Sequence, residues 1–141
     1  SPARLAETIE TEARKIFEIL HGLPDSVANN QLAYDLKIVE LRSWALLSLY
    51  LAAKIRAAIA LQKFRTVGQA DSGRRALEQL QQAQTFWIDL VGVTRTQYPV
   101  MPYISRAAGN YRFDFHWANL LAAVEAETQR IGREVQQGPN Q

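Results

Sequence analysis

The sequence predicts an all-α fold, an up-down antiparallel bundle of four main helices with a long aromatic loop closing one end. Three observations carry that prediction. Residues 30–65 run for 36 positions without Pro or Gly and consist largely of Leu, Ala, Ile and Arg, mostly good helix formers. Apolar residues recur at three- and four-residue spacing in four separate segments. The first two connections between those segments are short, which makes successive helices antiparallel neighbours.

The first helix is expected over residues 3–21. Ser1 is its N-cap and Pro2 its first helical residue. Leu5, Ile9, Ala13, Ile16, Phe17 and Leu20 form its apolar stripe, and Gly22 with Pro24 ends it. His21 falls in the last turn, where it suits the negative end of the helix dipole better than a metal site.

The second helix, residues 30–65, organises the rest and would be roughly 50 Å long. Asn29 or Asn30 caps it. One stripe includes Leu32, Leu36, Leu46, Tyr50, Ala53, Ala57 and Phe64, and a second includes Leu41, Trp44, Leu47, Leu51, Ile55, Ala58 and Ile59. A helix apolar on two faces is expected to be the inner helix of a bundle. Residues 43–53 carry no charge, but 11 residues are too few to cross a bilayer, so no membrane association is expected. Glu40, Lys54 and Arg56 flank that middle and should pair with the first or third helix.

The third helix is expected over residues 72–98, capped by Asp71 or Ser72, with Ala76, Leu80, Ala83, Trp87, Leu90 and Val91 inward and Pro99 ending it. Gly73 lies in its first turn, where a glycine costs little. Residues 99–114 read as an ordered loop because two prolines and Gly109-Asn110 interrupt them, with a helical turn at 103–107. The fourth helix is expected over residues 115–136, capped by Asp114, with Trp117, Leu121, Val124, Thr128 and Ile131 inward.

At 141 residues, 48% of them apolar, the chain is one domain, 1–141, with a core of its own. It opens Ser-Pro-Ala without an initiator Met and reads as a piece of a larger chain. Sixteen basic against 14 acidic residues leave a net charge of +2, which argues against nucleic acid as a partner. Zero Cys excludes disulfides, thiolate metal sites and Cys nucleophiles.

Aligning the second and third helices places Trp44 near Gly92, at the end where Trp117 begins the fourth helix. Tyr98, Tyr103, Tyr111, Phe113 and Phe115 gather there, with Arg95, Arg106, Arg112 and Asp114 nearby. Two readings stay open. The rings either stack on a sugar or partner, with Tyr103, Tyr111, Arg106, Arg112 and Trp117 as the contact residues, or they pack inward and simply close the bundle. Asp114 and His116 resemble half a metal site, but no second His stands at helical spacing, and His116 is expected as a first-turn surface residue. No phosphate loop, nucleophile elbow or H-E-x-x-H occurs. No catalytic residue, metal or cofactor is therefore predicted.

Two stretches resemble a known module. WALLSLYLAAKIRAAIAL is similar to the "LLGLYYAEKIRGA" pattern of an α-helical module, and AQTFWIDLVGVTRTQY followed by FDFHWANLLAAVEAETQRI is similar to its ending. That module lies at the C-terminal side of large secreted bacterial enzymes that act on polysaccharides, glycoside hydrolases among them. The resemblance covers about residues 30–131. Ala57 replaces the pattern's small Gly, and Arg130 stands near its second acid. It implies a non-catalytic accessory module that packs beside, or shapes, a separate catalytic domain of the same polypeptide. It also implies a secreted or periplasmic location, with a cytoplasmic one left open. The alternatives are a carbohydrate-binding unit that takes an oligosaccharide on its aromatic loop, and a scaffold bundle for protein–protein interaction.

Overall fold

The structure, a computed structural model, describes residues 1–105 and 111–138. Four helices make the fold all-α: α1 (Pro2–His21), α2 (Gln31–Val67), α3 (Ala70–Thr94) and α4 (Leu121–Gln137). Between α3 and α4 stands a two-stranded antiparallel hairpin, β1 (Met101–Ser105) and β2 (Tyr111–Phe115). Met101 pairs with Phe115 and Ser105 with Tyr111. The hairpin replaces the expected loop, and β1 occupies the start of the expected helical turn, whose end lies outside the described residues. Pro102 does not forbid it, because in a two-stranded sheet both strands are edges.

The caps set the helix lengths. Ser1 accepts a hydrogen bond from the Arg4 amide across the first turn of α1. Asn30 adopts a left-handed conformation, φ 56, and its side chain accepts from the Ala33 amide. Gly68 ends α2 at φ 72, a conformation that glycine adopts at little cost, and its amide donates to the Phe64 carbonyl. The cap of α3 differs from expectation. The helix starts at Ala70, so Asp71 and Ser72 lie inside it, and the Ser72 hydroxyl donates to the Gln69 side chain. It also ends at Thr94 rather than Tyr98, because Pro99 disfavours helical backbone at Tyr98 and a turn closes instead.

Helices α1 and α3 pack on α2, and α4 packs on α3. Small side chains let α1 come close: Ala13 meets Ala45 and Leu49, with Ile16, Phe17 and Phe86 around them. A second cluster joins Leu46 to Trp87, Leu90, Val91 and Val124, and a third joins Ala57, Leu80 and Ile131. At the C-terminal end of α2 the packing is tighter still. Phe64 is 1% exposed, and a Cβ placed on Gly73 would lie 2.8 Å from its ring and 3.1 Å from Val135. Gly73 is therefore where the Phe64 ring fits, not merely a tolerated glycine.

The charges flanking the middle of α2 are tied to two neighbours. Arg56 pairs with Glu10 of α1, as expected, but Lys54 pairs with Glu127 of α4, and Glu40 pairs within its own helix with Lys37. Further along, Arg65 makes a two-pronged contact with Glu134 of α4. By length and composition alone α2 is apolar enough to cross a membrane, which the count of uncharged residues had argued against.

The second apolar stripe of α2 is not buried as an inner helix would require. Trp44 is 59% exposed and Leu51 46%, and Ala58 is open too. Leu32 and Leu36 of the first stripe are likewise exposed. Helix α2 is thus internal along one broad face and uncovered along the other.

Candidate functional site

The uncovered face of α2 forms one wall of a groove of about 650 Å³. From α2 come Leu36, Trp44 and Leu47, with Lys37 and Glu40 on the rim. The opposite wall is Tyr98, Pro99 and Met101, and the floor is Phe115, His116 and Trp117. The two sides meet because α3 stops at Thr94. The chain then turns at Gln97 and Tyr98 and enters β1, and β2 leads into a single 3-10 turn, Trp117–Leu120, which precedes α4.

A run of rings anchors the floor to the core. Tyr50 and Trp87 lie 4.8 Å apart, Trp87 and Trp117 5.8 Å, and Trp117 and Phe115 5.2 Å, the last two pairs edge-on. The Trp87 indole N–H donates to the Trp117 carbonyl at 3.1 Å, so the largest buried ring also pays no polar penalty. Burial pushes the Tyr50 hydroxyl above its ordinary range, and the carboxylate of Glu127 adds to that.

Four polar side chains of the groove are engaged within the chain. Lys37 and Glu40 pair at 2.5 Å, and that partner raises the Lys37 ammonium. The Ser43 hydroxyl donates to the Val39 carbonyl. His116 corrects the sequence expectation twice: it is buried, not on the surface, and it replaces Asp114 as the cap of the following turn. Its Nδ1 accepts from the Ala118 amide at 3.0 Å. Asp114 accepts the Asn119 side-chain amide at its backbone carbonyl. Elsewhere, Arg14 and Arg56 hold Glu10 below the usual carboxylate range against an opposing burial effect, and Arg65 does the same for Glu134. The Arg56–Glu10 and Arg65–Glu134 pairs tie helices together, and none of these residues lines the groove. Among the described residues no cluster of His, Asp or Glu is placed to hold a metal ion.

Of the residues singled out from the sequence, Trp117 lies in the groove, joined there by Trp44, Tyr98 and Phe115. The backbone of Tyr103 lies opposite Phe113, that of Tyr111 opposite Ser105, and that of Arg112 opposite Ile104. Their side chains, and all of Arg106, lie outside the described residues. Sequence reasoning missed Leu36, Lys37 and Glu40 as groove residues, yet a signal was present. Lys37 and Glu40 stand seven and four positions before Trp44, on the same helical face, and charges there mark that face as wet.

The chain matches no family model, no curated protein and no solved structure.

Proposed function

We propose that this chain is a non-catalytic helical module that uses the groove beside α2 to dock against a neighbouring domain of the same polypeptide. The observation that carries the reading is the groove itself. It is walled by Leu36, Trp44, Leu47 and Met101, and Lys37, Glu40, the Ser43 hydroxyl and the His116 Nδ1 on its lining are engaged within the chain. A wall of that composition gains by covering apolar surface and offers little to a ligand that must be recognised by many hydrogen bonds. The resemblance of residues 30–131 to an accessory module of secreted polysaccharide-degrading enzymes supports the same reading and supplies the neighbour, a glycoside hydrolase domain. Within it the four helices form an up-down bundle that the aromatic segment closes at one end. Helix α2 is then a core helix rather than a membrane span, with Lys54 and Arg56 neutralised by Glu127 and Glu10.

Hydrogen exchange on the chain alone and joined to its natural flanking polypeptide tests this. Exchange in residues 36–51 should slow by about tenfold or more in the joined protein, as expected for roughly 1.4 kcal/mol or more of added protection. Equal exchange in both would reject docking.

The four rings around the groove favour a second reading, in which an oligosaccharide stacks on Trp44 or Trp117. A saturable change in tryptophan emission with one class of plant, algal or host oligosaccharide, lost in Trp44→Ala, would decide for it.

A further inference from the structure

We infer that the solvent-facing side of α2, from Trp44 to Ala58, pairs with the same stripe of a second copy of this chain, the two helices running antiparallel about Leu51. The pairing does not rest on the docking reading. Leu51, Ile55 and Ala58 line no part of the groove, and only Trp44 and Leu47 serve both surfaces. Successive members of the stripe, Trp44, Leu47, Leu51, Ile55 and Ala58, stand three or four residues apart, which keeps them on one side of a helix. The opposite side of the same turns holds Ala45, Leu49, Ala52 and Ala53, all buried. Trp44, Leu51 and Ala58 are exposed, and Leu47 and Ile55 are half-buried. Along this line the apolar run stops at Glu40 before it and at Gln62 after it.

The stripe is tapered, and its taper fits a reversed copy of itself. With Leu51 opposite its own copy, seven residues to either side bring Trp44 level with Ala58, and four bring Leu47 level with Ile55. Packed helices lie about 8–10 Å apart, and that gap stays even only where a large side chain meets a small one. The antiparallel pair sets the largest ring against a methyl group at both of its ends, which a two-fold axis makes identical. A parallel pair would instead stack Trp44 on Trp44 at one end and leave Ala58 facing Ala58 across a gap at the other.

The charges agree with the antiparallel register. Glu40 falls level with Gln62, whose amide can donate to it, whereas a parallel pair would set Glu40 against Glu40. Lys54 falls level with Ser48, and Lys37 with Arg65. Each of these three cations brings its own carboxylate: Glu127, Glu40 and Glu134 respectively. A lipid surface could cover the same apolar atoms, but a taper gains nothing there. Four turns of one helix make a small contact, below about 1,200 Å² in total, where association is weak. A dissociation constant of about 10–100 μM is expected.

Sedimentation equilibrium of the chain from about 1 μM to about 1 mM tests the pair, because that range brackets the expected constant. The mass should rise from 15.9 kDa toward twice that value. Leu51→Asp sets two carboxylates face to face at the centre and should weaken pairing about tenfold or more, with unchanged far-UV circular dichroism because Leu51 is exposed. Ala58→Trp puts ring against ring at both ends and should weaken it similarly. Adding Trp44→Ala to Ala58→Trp restores large against small in the opposite sense, and should bring the constant back to within about threefold of wild type. A chain that stays at 15.9 kDa throughout, a Leu51→Asp variant that pairs like wild type, or a double variant no better than Ala58→Trp alone would each overturn the pairing. Co-sedimentation with phosphatidylcholine vesicles in place of self-association would overturn it in favour of a lipid surface. Docking is scored apart: at about 1 μM the pair is dissociated, so slower exchange of residues 36–51 in the joined protein at that concentration reports the neighbouring domain alone.

Discussion

The two ends of α2 are built by opposite rules. At its C-terminal end Phe64 is fully enclosed, a glycine on α3 is cut away to receive it, and Arg65 grips Glu134 of α4. Toward its N-terminal end Trp44, an even larger ring, stands 59% exposed over a groove. The two stretches do not differ in being apolar. They differ in the chain that faces them. Only residues 68 and 69 separate α2 from α3, which forces the two helices together there. At the other end the path from Thr94 to Leu121 swings through a hairpin and leaves a gap. The ring enclosed against a missing side chain lies where the connection is short, and the open surface lies where it is long.

Breaking the tight end should have the largest effect. Phe64→Ala removes a fully buried ring and should cost about 3–5 kcal/mol in chemical denaturation. Gly73→Ala should cost about 1–3 kcal/mol, because its methyl group would meet the Phe64 ring. Gly92, later on the same helix, has open space where a Cβ would go. There the same substitution should stabilise by roughly 0.5–1 kcal/mol, since alanine is simply the better helix former. A loss at both positions would mean that the Phe64 contact is not what distinguishes them.

The Arg65–Glu134 contact sharpens the comparison through pH. Arg65 holds the Glu134 carboxyl below its ordinary value, so the folded state binds that proton less readily than the unfolded chain. The contribution is present above the usual carboxylate range and is lost as pH falls through the lowered folded value. The pair is partly solvated, so Glu134→Gln should reduce stability at pH 7 by only about 0.2–1 kcal/mol, and less in high salt. A difference that persisted at pH 2 would point to a packing effect instead.

The smallest expected change in stability is at the open end. Trp44→Ser should alter the melting free energy by roughly 0.5 kcal/mol or less, as at most surface positions. The same substitution should remove the protection of residues 36–51 by a docked neighbour. A large loss of stability would show that Trp44 belongs to the core after all.

The helices were legible because their signals are local. Pro2, Gly22, Pro24, Gly68 and Pro99 punctuate the chain, and the apolar spacing between them admits only one period. The hairpin was not. Pro102 and Gly109-Asn110 read as loop chemistry, and nothing within the segment reveals that Met101 will find Phe115. The choice between Asp114 and His116 as a cap was also hidden. Both residues can accept an amide, and the decision falls to Trp117, which settles the turn by packing on Trp87. The groove was half legible: Trp44 and Trp117 were expected at one end, but the wet face announced by Lys37 and Glu40 went unread.

Phe64 and Gly73 occupy one volume between them, the ring filling what the missing side chain leaves. Neither position can change freely without the other. In any lineage that carries this fold, the two should drift together, a larger residue at 73 tolerated only where 64 has shrunk. Such a pair leaves a trace in descendants long after the surrounding letters have diverged, and a distant cousin would be recognised by that exchange before its overall similarity became visible.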